Sequence, residues 1–353
     1  MPNNSVKYEV CKFENLYHAM LECKKNTMWK DSVANFYYSG FMRVNKLRRE
    51  LLDGTYKILP YSIFVVHEKK TRTIVATRFR DRVVQKSLCD CYFYKEITKG
   101  FIYDNCACLL NKGTDFARNR LICHLNRYYR KHGNIGYCLK VDIHDYFGST
   151  PHIVAKRAVA KRVKDEWARS MVFNIIDSFN HISPNVGMGL GSQITQLVEL
   201  AVLDDLDHII KEQLHIKYYV RYMDDLILIH NDKEHLKKCK SVIESEIQKL
   251  GLTVSEKKTY IMPLNNGIHF LGFSYRLTSS GKVVKKILHK KVKKERRKLK
   301  KLVQRQKDGI LTRHRVDECF KSWKAHAKKG NCHNLMIKME IFYENLYLGG
   351  KHD

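Results

Sequence analysis

Two adjacent carboxylates lie between two apolar stretches of the chain, and their position favours metal chemistry. Asp224 and Asp225 follow residues 218–222 and precede residues 226–229, which are rich in Tyr, Val, Leu and Ile. These residue types favour β-strands, so the acidic pair falls at the tip of a predicted hairpin. Two charges between buried strands are costly unless a cation or solvent receives them, so the hairpin predicts a divalent metal ion.

A third carboxylate, Asp142, stands at the end of another short apolar segment upstream. Two divalent ions about 3.5 to 4 Å apart need several oxygen ligands, and the three carboxylates together supply them. A surface turn is the alternative interpretation of the hairpin, because adjacent aspartates are common in loops. A second such pair occurs in this chain at Asp204 and Asp205.

The order of motifs along the chain resembles that of reverse transcriptases, and the resemblance covers most of the sequence. Tyr-Met-Asp-Asp at 222–225 and the segment 142–147 resemble the two acidic motifs of the palm. The remaining matching segments, from the fingers to the primer grip, are residues 68–74, 78–85, 102–104, 112–114, 187–196, 252–259 and 267–272.

The resemblance implies an α+β right-hand polymerase with fingers, a palm of antiparallel sheet backed by helices, and a basic helical thumb. It implies an RNA-directed DNA polymerase that uses two Mg²⁺ ions, with Mn²⁺ as an alternative, and deoxynucleoside triphosphates. The implied divisions are a helical lead at 1–58, fingers at 59–135, a palm with primer grip at 136–275, and a thumb with a C-terminal element at 276–353.

The resemblance also assigns roles to single residues of the catalytic centre. Lys258 resembles the lysine that protonates the departing pyrophosphate, and Lys257 is the competing choice. The implied catalytic residues are Asp142, Asp224, Asp225 and Lys258. The implied metal-binding residues are Asp142, Ile143, Asp224 and Asp225.

For the nucleotide, Phe147 aligns with the aromatic gate that stacks under the sugar and excludes a 2′-hydroxyl, which predicts deoxynucleotide substrates. Its neighbour Tyr146 is the residue with which it is most easily confused. Arg72, with Lys70 near it, matches the basic fingers position that grips the triphosphate, a task that suits a bidentate guanidinium. The other implied nucleotide-binding residues are Ile143, Leu190, Gly191 and Gln196.

The chain becomes strongly basic near its end, where 14 of the 26 residues from 282 to 307 are Lys or Arg. Apolar residues from Ile287 to Val303 recur at helical spacing through that charge, which predicts one amphipathic helix that contacts phosphates. The candidate nucleic-acid contacts are Lys290, Lys294, Arg297 and Lys301. The implied primer grip consists of Phe270, Leu271 and Gly272.

One position indicates a branch of the family. Many reverse transcriptases have glutamine before the glycine that starts the helix near residue 191, and Leu190 holds that place here. An aliphatic residue there resembles the enzymes of diversity-generating retroelements, which copy a template RNA with frequent errors at adenines. Because Leu190 withdraws a hydrogen-bond donor from the nucleotide pocket, error-prone copying is the hypothesis. Thr195 departs from this branch, which more often has serine there.

Three functions remain open from the sequence. The first is a bacterial or phage reverse transcriptase of the diversity-generating type, working with a template RNA and a small basic accessory protein. The second is an antiphage-defence (abortive-infection) or retron reverse transcriptase with a dedicated noncoding RNA. The enzymes of group II introns, retrons and antiphage defence are all related to the diversity-generating type. The third is a non-catalytic RNA-binding protein, against which the three retained carboxylates weigh.

Composition agrees with a nucleic-acid partner, meaning the RNA and its cDNA product, because the formal net charge is +29. No apolar run approaches the roughly 18 residues of a membrane span, and no secretory signal opens the chain, so we expect a cytoplasmic protein with no membrane partner. The pairs Cys89/Cys91 and Cys106/Cys108 are spaced too closely for a typical zinc site, which favours reduced, buried thiols.

Hydrophobic periodicity predicts the elements that position these residues. Helices are predicted over residues 13–52, 82–94, 152–179, 192–214 and 234–250. Strands are predicted over residues 59–66, 71–76 and 252–254, besides those that flank the aspartates.

Overall fold

The computed structural model describes residues 5–67, 71–180, 183–189 and 191–348, with the side chains of residues 71 and 72 excepted. Four short helices come first and pack around a core of their own. Leu16 and Met20 of the second helix and Val44 and Leu47 of the fourth are buried there, at the spacing of one helix face. These helices are α1 Val6–Cys11, α2 Phe13–Lys24, α3 Asp31–Tyr38 and α4 Gly40–Leu52. The predicted helical lead over 13–52 is thus three helices.

A two-stranded antiparallel ribbon and a set of helices follow. The predicted strands at 59–66 and 71–76 do pair, but the first begins later, after Pro60, which lacks the N–H that a ladder requires. The helix predicted over 82–94 is present and contains one wider π-helical turn, Cys89–Phe93. The elements are β1 Ser62–His67, β2 Thr71–Ala76, α5 Phe79–Leu88, α6 Tyr94–Thr98 and α7 Thr114–His132.

The central sheet has four antiparallel strands with a helical layer packed on it. Its strands are β3 Tyr137–Asp142, β4 Tyr218–Tyr222, β5 Asp225–His230 and β6 Tyr260–Pro263. They lie in the order β4-β5-β3-β6, so β3 and β5, whose residues are nearly all buried, are central. The helices are α8 Tyr146–Ser149, α9 His152–Arg162, α10 Glu166–Asp177, α11 Gln193–Val202, α12 Asp204–His208 and α13 Lys233–Lys249.

Three predictions for this region need correction. The helix predicted over 152–179 is two helices, because the side chain of Asp165 caps a new one by accepting a hydrogen bond from the Ala168 N–H (2.8 Å). The helix predicted over 192–214 breaks at Leu203 and ends in a π-helical turn, Ile209–Gln213.

The strand predicted over 252–254 does not form. This segment wraps across the end of β3, where the Ser255 N–H donates to the Asp142 carbonyl (2.7 Å) and Val254 makes an isolated bridge to Ile143. Strand β6 pairs with β3 instead.

A second sheet leads into the C-terminal helices. Its strands are β7 Ile268–Phe270, β8 Phe273–Leu277 and β9 Val283–Ile287, and the helices are α14 His289–Lys307, α15 Arg313–Ala327 and α16 His333–Leu348. The prediction of one basic helix from residue 282 is wrong at its start. Residues 283–287 pair with β8 as the third strand, which suits their β-branched Val and Ile side chains. The helix begins only at His289.

All eleven cysteines are free thiols. Burial raises the pKa of Cys89 and that of Cys106 to about 12, as expected of thiols in an apolar core. Among the described helices, none is both long and apolar enough to cross a bilayer.

Candidate active site

The three aspartates predicted to act together meet at one end of the central sheet. Antiparallel register places Asp142, the last residue of β3, directly opposite Asp225, the first residue of β5. Asp224 precedes Asp225 in the tight turn between β4 and β5. The Asp224 carbonyl accepts a hydrogen bond from the Ile143 N–H (3.3 Å). The sheet thus brings together residues that are far apart in the sequence.

The turn that presents Asp224 is held by a fully buried ion pair. Met223 adopts a left-handed backbone (φ 55°), which is uncommon for a non-glycine residue. Its carbonyl accepts a hydrogen bond from Arg221 Nη1 (3.3 Å). The Arg221 guanidinium also donates to both oxygens of Asp207 (2.6–3.0 Å), which accepts from the Tyr219 hydroxyl as well (2.6 Å). This ion pair was not predicted from the sequence. The sequence indicates it only through one charged residue, Arg221, inside an apolar strand.

Two lysines lie against the carboxylates. Lys140 Nζ is 2.9 Å from Asp225 Oδ1 and 3.0 Å from Oδ2, and it donates to the His269 carbonyl (2.9 Å). Lys258 forms an ion pair with Asp142, and half of its side-chain surface remains exposed. Lys258 was predicted to belong to the site, whereas Lys140 was not.

Burial makes the negative charges of the aspartates unfavourable. Burial raises the pKa of Asp225 to about 6, an effect that Lys140 opposes and that Asp224 and Asp142 reinforce. Burial likewise raises the pKa of Asp224, and the charge of Asp142 adds to the shift. Because burial penalises these charges, a cation between the carboxylates would be bound favourably.

The chemical type of the available ligand atoms suits magnesium. Three carboxylates at one end of a sheet are the hard oxygen ligands that Mg²⁺ prefers. The side chain of Ile143 is buried, so only its backbone oxygen is a possible ligand. Among the described residues, no three His, Cys, Asp or Glu side chains are arranged to hold a metal ion by themselves. The lysine contacts of Asp142 and Asp225 agree with that finding, since the ammonium groups lie against the carboxylate oxygens.

The two aromatic residues after the first aspartate have different environments. Tyr146 is buried and its hydroxyl donates to the Glu199 carbonyl (2.6 Å), so it belongs to the core. Phe147 is only half-buried, and its carbonyl accepts from the Met188 N–H (2.7 Å). The two candidates therefore differ in burial: Tyr146 is a core residue, whereas part of Phe147 is accessible.

The other predicted nucleotide contacts are described in part. Gly191 is exposed with φ 102°, and Gln196 is half-buried near the start of α11. The backbone of Arg72 lies on β2 opposite Val66. Lys70 and Leu190 lie outside the described residues.

The predicted primer grip is the β7–β8 hairpin. Phe270 and Phe273 pair across it and are buried, and the turn between them consists of Leu271 (φ 42°) and Gly272 (φ 93°). Two consecutive left-handed residues form the tight turn that suits the twist of a hairpin. The four predicted nucleic-acid contacts of the basic helix are all exposed on α14: Lys290, Lys294, Arg297 and Lys301.

A buried carboxyl group lies in the helix behind the aspartates. Glu199 of α11 is fully buried, and its Oε2 accepts a hydrogen bond from the Thr150 hydroxyl (3.0 Å). Its Oε1 has no hydrogen-bond partner within the described part of the chain. Burial raises the pKa of Glu199 to about 8; the hydrogen bond from Thr150 opposes this shift, and the charge of Asp224 adds to it.

Exchanging Glu199 for glutamine is expected to flatten the pH dependence of stability. The folded protein keeps the Glu199 proton up to about pH 8, whereas an unfolded glutamate releases it near its ordinary pKa of 4.5. Between these values the free energy of unfolding falls as pH rises, by at most about 1.4 kcal/mol per pH unit for one proton. Thermal melts of both proteins from pH 5 to 8.5 measure the difference. Parallel curves would contradict the assignment.

The helix-backed antiparallel sheet, with the ribbon before it and basic helices after it, has the architecture of a right-hand polymerase. Residues 66–275, more than half of the chain, match the family model described as reverse transcriptase (RNA-dependent DNA polymerase). The chain therefore belongs to the reverse transcriptase family, a family of RNA-directed DNA polymerases.

Two solved structures of apo telomerase from Candida tropicalis are similar in fold. The one truncated from the C-terminal domain is 15% identical, with a TM-score of 0.47, and the match covers 65% of this chain and 56% of that chain. The other is 16% identical, with the same TM-score and coverage of 65% and 49%. This chain thus spans about half the length of these structures. The chain matches none of the curated proteins with which it was compared.

Proposed function

We propose that this protein synthesises cDNA on an RNA template, with Asp142, Asp224 and Asp225 as the ligands of two Mg²⁺ ions. The observation that carries the proposal is the register of the central sheet. It places Asp142 opposite Asp225, with Asp224 in the adjoining turn, in a chain of the reverse transcriptase family. Incorporation of deoxynucleotides on a primed RNA, with Mg²⁺ and then with Mn²⁺, tests the proposal.

Bound metal would activate the attacking hydroxyl and stabilise the departing pyrophosphate. The protein's own groups do the remaining work. Lys140 holds Asp225 in place from the side of the primer grip. Lys258 lies half-exposed beside Asp142 at the edge of the site and is our choice for the general acid. Lys257 is exposed on the same short helical turn and remains the competing choice.

Phe147 is proposed to exclude ribonucleotides. Its half-exposed ring follows Asp142 by five residues, whereas the ring of Tyr146 is buried in the core. Phe147→Ala is expected to reduce the preference for deoxynucleotides over ribonucleotides by roughly 10- to 200-fold, which is the discrimination that one steric contact typically provides. The ratio of kcat/KM for the two substrates measures it, and Tyr146→Phe, which keeps the ring, is the matched control. An unchanged ratio in Phe147→Ala would remove the assignment.

The basic helix α14 is proposed to hold the template–primer duplex. Val292, Leu299 and Val303 are buried against the neighbouring helices, and this anchors α14. The four exposed cations predicted from the sequence then face solvent, where they can neutralise backbone phosphates. Binding through phosphates is expected to weaken steeply with salt.

We further propose that the enzyme is of the diversity-generating type, on the strength of Leu190. Leu190→Gln would restore a hydrogen-bonding side chain, worth about 1 kcal/mol, so misincorporation opposite template adenine should fall by about fivefold. Sequencing of cDNA made by both proteins on one template measures this. Equal error rates would end this part of the proposal.

The RNA that purifies with the protein separates the biological roles. A template that matches a repeat within a neighbouring variable gene supports diversity generation, with a small basic accessory protein as the expected partner. A structured noncoding RNA without such a repeat supports phage defence or a retron instead.

A further inference from the structure

The turn of the primer grip is held by Arg118, a residue to which the proposed function assigns no role. Arg118, on α7, donates two hydrogen bonds to the Leu271 carbonyl, from Nη2 (2.8 Å) and from Nε (3.3 Å). Its third bond goes from Nη1 to Asp115 (2.7 Å). The guanidinium also lies 5.0 Å from the centre of the Phe273 ring, at the start of the second strand of the hairpin.

Arg118 is an unusual residue for its position. It is only 6% exposed and lies on the buried face of α7, beside Leu121 and Leu125. A charge buried on an apolar helix face is costly unless it is paired and hydrogen-bonded. Here two of its donors are directed to one carbonyl at the tip of the hairpin, and that arrangement fixes the tip relative to α7.

The same turn also lies against the thumb. A Cβ built on Gly272 would lie 2.7 Å from Lys291 Nζ and 3.8 Å from His326 Nε2, so the backbone approaches α14 and α15 closely. The ring of His326 also packs on Phe273, with centres 4.8 Å apart. The turn therefore contacts both α7 and the thumb helices.

The same cluster joins the thumb to α7. Asp115 accepts a hydrogen bond from Arg118 and another from Lys329 (2.7 Å). Lys329 lies just beyond the end of α15, in the thumb. The first strand of the hairpin is held separately, since the His269 carbonyl accepts from Lys140, which contacts Asp225. The primer grip is thus tied at its strand to the aspartates and at its turn to Arg118.

We propose that Arg118 is a positioning residue that sets the place of the primer terminus by fixing the Leu271–Gly272 turn. The inference rests on the proposed polymerase function. A terminus shifted by about 1 Å loses roughly 100-fold in rate, because the reacting atoms must approach within a narrow range of distance and angle. Duplex affinity, in contrast, depends on phosphate contacts along the thumb and does not require this turn.

The experiment compares Arg118→Met with Arg120→Met in the full-length protein. Arg120 lies on the same helix and forms an ion pair with Asp104, and within the described residues its hydrogen bonds, ion pair and ring contact do not involve the β7–β8 hairpin. Single-nucleotide incorporation at saturating substrate and the Kd for a primer–template duplex are measured for both. Arg118→Met is expected to slow incorporation by about 10- to 100-fold with less than about twofold change in Kd. Arg120→Met should stay within about threefold of the wild type in both quantities.

A conservative variant separates positioning from folding. Arg118→Lys keeps the charge and one bond to the Leu271 carbonyl but loses the fork, so its rate should fall between those of the wild type and Arg118→Met. Equal losses in Arg118→Met and Arg120→Met, in parallel with equal losses in melting temperature, would overturn the inference while leaving the polymerase intact. A wild-type protein that adds no nucleotide would overturn the proposed function and this inference with it.

Discussion

Asp224→Asn is expected to abolish DNA synthesis while leaving the fold in place. The carboxylate lies in the turn between β4 and β5, and its pKa is raised mainly by burial, so neutralising it relieves the folded protein of an unfavourable charge. The same change removes the negative charge of a proposed metal ligand, and the loss of several kcal/mol of transition-state stabilisation corresponds to about a thousandfold in rate or more.

The chain contains a matched control for this change in its second pair of adjacent aspartates. Asp205 is largely exposed and, among the described residues, forms an ion pair with Lys161 alone, so Asp205→Asn should leave synthesis within about twofold of the wild type. Primer extension on a defined RNA, with melting temperatures of all three proteins, makes the comparison. If Asp224→Asn kept more than a tenth of the wild-type rate, the metal-binding role would be wrong.

Asp207→Asn is expected to destabilise the protein more than any exposed ion pair would. Asp207 and Arg221 are both fully buried, and removing one partner leaves the other as an uncompensated charge in the core. The expected loss is about 3 to 5 kcal/mol in the free energy of unfolding. Because Arg221 also donates to the Met223 carbonyl, the turn that carries Asp224 should loosen at the same time.

Urea unfolding measures the loss, and two further proteins interpret it. Glu318→Gln breaks the exposed pair with Arg315 and should cost about 0 to 1 kcal/mol. Combining Asp207→Leu with Arg221→Met replaces the buried pair by apolar groups and should recover much of the stability that Asp207→Asn loses. If Asp207→Asn cost no more than Glu318→Gln, the buried pair would not be what holds the turn.

Part of the site could be predicted from sequence because strand pairing follows a local pattern. The apolar stretches on both sides of Asp224 and Asp225 predicted the β4–β5 hairpin, and the structure has it at residues 218–230. Asp142 was grouped with this pair because it too ends an apolar segment, but its register opposite Asp225 was not predicted, since no local signal specifies which strands become neighbours.

The residues that the sequence did not reveal act through distant partners. Lys140 meets the His269 carbonyl, and Arg118 meets the Leu271 carbonyl, across more than a hundred positions of chain. A carbonyl carries no sequence signal, because every residue has one. The start of α14 was misplaced for a related reason: residues 283–287 belong to the same basic run as the helix, but pairing with β8 decides their conformation.

The most direct test is to purify the protein together with its RNA, sequence that RNA, and supply Mg²⁺ with deoxynucleotides. We expect DNA complementary to the bound RNA from the wild-type protein, and none from Asp224→Asn carrying the same RNA. Product that is independent of the RNA, or equal yields from the two proteins, would contradict this expectation.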